Sequence, residues 1–174
     1  MENTQTLPRL TGRALDTKMH LDLLVYTGKL DESHLKRKVL EFGAGWGTNT
    51  LALNNFGGAV EAVDVSGAVN EIVTRGILPQ DRVYHQDGIQ LLRDRPNTYD
   101  LVASFLFGPI SSPQDEKFLR EFYEAASVGI KQDGRILLTS DISSFSYIER
   151  LAQEGYGVVS KNPTFPHAFI GRKA

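Results

Sequence analysis

The sequence contains no cysteine in 174 residues, which excludes disulfides, thiolate nucleophiles and thiolate metal sites. It has no excess of one charge either. Its 19 Lys and Arg stand against 21 Asp and Glu, for a formal net charge of −2, so no global field draws in nucleic acid or an anionic membrane. Long apolar runs are missing as well. The opening "MENTQTLPRLTGR" lacks the apolar core of a signal peptide, and no later run is long enough to span a bilayer. No H-x-x-x-H pair or carboxylate cluster has metal-ligand spacing, so no metal is expected. Together these absences lead to the expectation of a soluble, cytoplasmic protein. No repeat, low-complexity tract or linker divides the chain, so one domain is expected over 1–174, with a leading helical cap segment in 1–30 and a core sheet in 36–174. The basic run Lys36-Arg37-Lys38 is short and reads as a charged strand entry.

What is present is an alternation of short apolar runs with helical patterns, the signature of βαβ units around a parallel sheet. A leading helix is expected over 15–27, stopped by Gly28, and strands over 39–42, 59–66, 82–87, 99–107 and 135–140. Ser66 is placed to cap a helix carrying Val69, Ile72 and Val73, with Gly76 as its stop. Ser112-Pro113 opens another helix, with Phe118, Leu119, Phe122, Ala126 and Ile130 on one stripe. Asp133-Gly134 then turns into the fifth strand, and a further helix near 146–154 stops at Gly155. Two β-like segments, 156–161 and 167–173, are joined through Pro163 and Pro166, which favours an antiparallel pair. The fold class that follows is α/β: a doubly wound, mostly parallel sheet of seven strands with an antiparallel ending.

The most informative stretch is "VLEFGAGWGTNT", a buried strand that breaks into glycines at 43, 45 and 47 before a helix begins. In open α/β sheets, ligands bind beyond the carboxyl ends of the strands, and bare backbone lets them approach closely. A nucleoside triphosphate calls for G-x-x-x-x-G-K-[S/T], and no lysine follows here. A dinucleotide prefers G-x-G-x-x-G, whose last position counted from Gly43 is Thr48. Glu41, two residues before the first glycine, would repel a pyrophosphate and attract an ammonium. Asp64 ends the second strand, 21 positions after Gly43, where a carboxylate accepts from ribose hydroxyls. NAD shares that last feature.

Glu41-Phe42-Gly43-Ala44-Gly45-Trp46-Gly47 resembles the first motif of the class I S-adenosylmethionine (SAM)-dependent methyltransferases, an acidic residue followed by G-x-G-x-G. The resemblance runs from residue 39 through the last strand and implies a Rossmann-like fold with SAM as cofactor. It implies that Glu41, Phe42, Gly43, Ala44, Gly45 and Gly47 hold the methionine end, Asp64 the ribose, and Asp87 with Gly88 the adenine end. Val65 and Ile89 would flank the adenine, and Phe105 and Phe107 would neighbour the reacting methyl.

No catalytic residue can be assigned from the sequence, because methyl transfer depends first on alignment. Many amino-methylating relatives carry [N/D]-P-P-[Y/F/W] after the fourth strand, whereas this chain has Phe107-Gly108-Pro109-Ile110, which argues against adenine, cytosine or glutamine amide acceptors. Lys18, His20, Tyr26 and Asp141 are polar candidates for the acceptor side, and His85 reads as structural. A small-molecule acceptor with an N or O nucleophile is expected, without membrane or nucleic-acid partners. Competing readings are a catalytically silent SAM-binding partner subunit, aminopropyl transfer or lyase chemistry on the same cofactor, and a nicotinamide oxidoreductase.

Overall fold

A computed structural model describes residues 9–105, 113–140, 145–161 and 167–172. Helices α1 (Gly12–Tyr26) and α2 (Glu32–Lys36) lead into β1 (Lys38–Phe42). Then follow α3 (Thr48–Asn54), β2 (Ala59–Asp64), α4 (Glu71–Thr74), β3 (Val83–His85), α5 (Gly88–Asp94) and β4 (Tyr99–Ser104). The remainder is α6 (Pro113–Gly129), β5 (Ile130–Ser140), α7 (Phe145–Gln153), β6 (Gly157–Ser160) and β7 (His167–Gly171). The strands form one sheet in the order β3-β2-β1-β4-β5-β7-β6. Pairs up to β4–β5 are parallel, and β7 runs antiparallel to both β5 and β6. Strand order reverses between β1 and β4, so the chain winds outward in both directions from that point.

Side chains that alternate along each strand divide between two cores. Val39, Leu101, Ala103, Leu137 and Ile170 pack on one face with Leu21 and Leu24 of α1, Leu51 and Leu53 of α3 and Ile72 of α4. Leu40, Val63, Val102, Leu138 and Phe169 pack on the other with Leu91 and Leu92 of α5, Leu119 and Phe122 of α6 and Ile148 of α7. Burial on both faces explains why the parallel strands read as nearly continuous apolar runs.

At the amino ends of the parallel strands, carboxylates meet the basic strand entry. Lys38 Nζ lies 3.1 Å and Arg95 2.8 Å from Glu61, and Tyr99 donates to the same carboxylate at 2.9 Å. Asp100 accepts from Lys131 at 2.8 Å, and Arg37 stands 3.7 Å away. Lys36 pairs with Glu32 at 3.0 Å. The run Lys36-Arg37-Lys38 therefore serves local ion pairing.

Several expectations change. The short helix α2 was not foreseen. The third strand ends at His85, so Asp87 does not close it but caps α5, accepting from Ile89 N–H at 2.8 Å. Strand β5 begins at Ile130, not Arg135, and its register against β4 shifts between Tyr99/Ile130 and Leu101/Arg135, so Asp133-Gly134 lies within an irregular strand. Ile130 therefore leaves the α6 stripe, and Phe118 on that helix is 42% exposed. The fourth strand ends at Ser104, one residue before Phe105. The expected cap at Ser112 and the Pro163–Pro166 connection lie outside the described residues. Among the described residues, no helix is long and apolar enough to cross a membrane.

Candidate functional site

The turn after β1 is built on three left-handed glycines, with φ of 74° at Gly43, 51° at Gly45 and 78° at Gly47. Such a conformation costs glycine nothing and strains any residue bearing Cβ. The three differ in their surroundings. A Cβ on Gly47 would come within 2.6 Å of Ile72, whereas one on Gly43 or Gly45 would meet none of the described residues within 4 Å. Gly47 is thus tied to packing, and Gly43 and Gly45 face open space. Ala44 between them is buried, its N–H donating to Val63 O at 3.2 Å, and its own carbonyl closes the turn by accepting from Gly47 N–H at 2.9 Å.

Asp64 joins this turn to the end of β2. One carboxylate oxygen accepts from Gly45 N–H at 2.8 Å, and the other from Ser66 N–H at 2.7 Å. An ionised carboxylate offers about four lone-pair sites, so each oxygen keeps one for another donor. Val65, the next residue, is 73% exposed. His85 bonds to Val65 O at 3.0 Å, consistent with a structural part for His85.

Glu41 is the unusual group. It lies on the β1 face toward α3, is fully buried, and accepts a hydrogen bond from the Thr50 hydroxyl. Its Oε1 has no hydrogen-bond partner among the described residues, although the Asn49 amide faces the carboxyl. Desolvation dominates its titration and, with the nearby negative charge of Asp64, pushes the carboxyl up to about 8 from an ordinary 4.5; Thr50 and Asn49 act in the opposite direction. A folded-state value above the unfolded one means that the folded protein binds the proton more tightly. Stability contributed by this group is therefore fully present below about 4.5 and is lost as pH rises through about 8. Melting of the protein without ligand should fall across that window, with the fall reduced in Glu41→Gln; parallel pH profiles for the two proteins would refute the assignment.

Beside the turn opens a cavity of about 380 Å³ lined by Phe42, Gly43, Val63, Asp64, Val65, Asp87, Gly88, Ile89, Phe118 and Glu121. It lies at the carboxyl ends of β1 and β2. Its wall is set by close packing. Phe42 stacks edge-on against Phe122 with centroids 4.6 Å apart, and a Cβ on Gly88 would fall 2.5 Å from the Phe42 ring. Carboxylates at 64, 87 and 121 line this space. That charge disfavours a pyrophosphate and suits a polyhydroxylated or cationic ligand.

A family model for a methyltransferase domain matches residues 39–129, which runs from β1 through α6 and includes the glycine turn and every residue lining this cavity. The chain belongs to that methyltransferase family. Solved structures agree on the fold. The methyltransferase is similar to magnesium protoporphyrin IX methyltransferase (ChlM) from Synechocystis with bound SAM, at 13% identity and a TM-score of 0.62, covering 96% of this chain and 86% of that one. DesVI from Streptomyces venezuelae gives 11% identity and a TM-score of 0.64, with 92% of each chain covered. A SAM-dependent methyltransferase from Aquifex aeolicus gives 16% identity and a TM-score of 0.58, covering 94% of this chain and 100% of that one. No curated protein matches the sequence.

The cofactor is SAM, and the residues of the methyltransferase suit it. The unpartnered Oε1 of Glu41 offers an acceptor for an ammonium, and the open space over Gly43 and Gly45 is what a ligand pressed against backbone requires.

Of the site residues singled out in the sequence, Phe42, Gly43, Asp64, Val65, Asp87, Gly88 and Ile89 converge on one cavity. Glu41, Ala44, Gly45 and Gly47 belong to the adjoining turn. Phe105 is half-buried and packs against the α1-side core rather than lining that cavity. Lys18 pairs with Asp22 at 2.6 Å, and Tyr26 is 89% exposed, so neither points to catalysis. His20 is buried, and desolvation pulls its pKa down. Asp141 and the segment Phe107–Ile110 lie outside the described residues. Phe118, expected only as part of the apolar stripe of α6, and Glu121 of the same helix also line the cavity; they lie more than fifty positions after Asp64, and no local pattern assigns them to the site. A larger groove, about 760 Å³, opens at the opposite edge of the sheet near Arg135 and Arg172, away from the glycine turn.

Proposed function

We propose that this methyltransferase is a single-domain cytoplasmic enzyme that methylates a small molecule at an N or O nucleophile. One observation carries the placement of its chemistry: a buried carboxyl with an unpartnered oxygen lies beneath a glycine turn whose Gly43 and Gly45 face open space. When bound, the cofactor supplies a methyl group on a sulfonium, open to in-line displacement by a lone pair. Glu41 accepts from its ammonium, and Gly43, Ala44, Gly45 and Gly47 support the methionine chain. Asp64 accepts from the ribose hydroxyls with its two remaining lone pairs. Val65 and Ile89 flank the adenine, Phe42 walls its pocket, and Asp87 with Gly88 borders its amino end. Phe105, just beyond β4, stands on the side where the acceptor approaches.

Alignment and exclusion of water supply the rate, and proximity alone can be worth about 7–11 kcal/mol. A small acceptor is supported by the relative from Synechocystis, whose name specifies magnesium protoporphyrin IX.

The test is incubation with SAM and a panel of small amines, carboxylates and phenols, with products read by mass spectrometry. S-adenosylhomocysteine together with a methylated acceptor is expected. Methylthioadenosine would indicate aminopropyl or lyase chemistry instead, and SAM binding without turnover on any acceptor would indicate a silent binding subunit.

A further inference from the structure

Two helices converge on the buried carboxyl of Glu41. From α3, Thr50 donates to Oε2, and the Asn49 amide faces the same group. From α1, the Thr17 hydroxyl donates to Asn49 Oδ1 at 2.8 Å. An amide whose oxygen is occupied by Thr17 turns its NH₂ the other way, toward the carboxyl. Thr17 therefore fixes which end of Asn49 Glu41 meets, and ties the position of α1 to the charge on Glu41.

Among the described residues, the surroundings of that carboxyl supply no cation. Its strand neighbours in register are Ala62 on β2 and Ala103 on β4. Helix α3, sequence TNTLALN, has no charged residue. Asp64 adds negative charge from the end of β2. On α1 the buried titratable group is His20, held toward neutrality by desolvation, while Lys18 is engaged by Asp22. A buried carboxylate without a counter-ion is costly, so the ligand-free protein keeps Glu41 as the neutral acid.

We propose that Asn49, oriented by Thr17, positions Glu41 for the cofactor, and that Glu41 releases one proton to solvent as it accepts from the cofactor's ammonium. This rests on the placement of the methionine end proposed above. Before binding, the proton sits on the carboxyl; afterwards the carboxylate oxygen Oε1 accepts the ammonium N–H and Asn49 steadies the anion. Thr17 and Asn49 are positioning residues, and they couple α1 to occupancy of the site.

Calorimetry with S-adenosylhomocysteine at pH 7, in buffers of low and high ionisation enthalpy, tests it. A release of roughly 0.7–0.9 proton per ligand bound is expected for a carboxyl that titrates at about 8. Glu41→Gln should bind more weakly and abolish the release, which separates it from the ligand's own amino group. Thr17→Val should weaken binding about 3- to 10-fold and shift the half-point of release to higher pH, and Thr17→Ser should restore both. Binding enthalpies independent of buffer would overturn the proposal while leaving the cofactor assignment intact, as would an unchanged release profile in Thr17→Val. Loss of the release in Glu41→Gln with unchanged affinity would also overturn it, because the carboxyl would then titrate without touching the ligand. Failure of the wild-type protein to bind at millimolar ligand would overturn both.

Discussion

Asp64→Ala should weaken S-adenosylhomocysteine binding by about 10- to 100-fold while lowering stability by only about 1 kcal/mol. The asymmetry comes from what each partner does when the carboxylate is gone. In the ligand-free protein the carboxylate serves Gly45 and Ser66 N–H groups at 2.8 and 2.7 Å. The Ser66 bond is exposed and the Gly45 bond half-buried, so water replaces much of what is lost. In the complex, the sugar hydroxyls would lose a charged acceptor; with water taking over part of its place, the net loss is about that of one hydrogen bond to a charged group, roughly 1.5–3 kcal/mol. Every 1.4 kcal/mol is roughly tenfold in affinity. Asp64→Asn keeps an acceptor for one N–H and should fall between the two. Calorimetry beside thermal melting reads both quantities. Equal losses in stability and binding would mean that Asp64 only staples the turn, and unchanged affinity would remove it from the ribose.

Gly45→Val should reduce cofactor affinity by more than about 100-fold and leave a folded protein. At φ of 51° a β-branched residue is strained by about 1–2 kcal/mol, which a domain of this size tolerates. Its side chain would project into space where none of the described residues comes within 4 Å of the Cβ, and that is the volume assigned to the methionine chain. Gly47 supplies the contrast. The same substitution there drives Cβ into Ile72 at 2.6 Å and strikes the fold first. If Gly45→Val bound S-adenosylhomocysteine normally, the open side of the turn would not be the cofactor's seat.

The parts of this molecule legible in the sequence are those whose physics is local. Residues 39–42 and 59–64 are mostly apolar because parallel strands are covered on both faces, and the alternating glycines at 43, 45 and 47 declare a backbone that only glycine adopts without strain. Pro163 and Pro166, with strand-like runs on either side, marked the antiparallel β6–β7 pair. Where several weak local preferences competed, the reading slipped. Asp87 is both a strand-end acid and a helix cap, and the cap set the boundary. The five residues of α2 are too few to show a stripe; Asp31, whose side chain accepts from Ser33 N–H at 2.8 Å, was the available signal. The start of β5 depends on its pairing with β4, and a register shift leaves no trace in composition. Glu121 and Phe118 reach the cavity only through the packing of α6 against α5 and the sheet. Likewise, the link from Thr17 to Asn49 spans 32 positions and depends on how α1 lies on α3.

The most direct test of the central claim is a crystal structure of the protein grown with S-adenosylhomocysteine. The expected density places adenine in the cavity beside Val65 and Ile89, the sugar on Asp64, and the amino group at the unpartnered oxygen of Glu41. A ligand bound elsewhere, or the side chains of Ile89, Phe118 and Glu121 closing that cavity in a saturated crystal, would contradict the account.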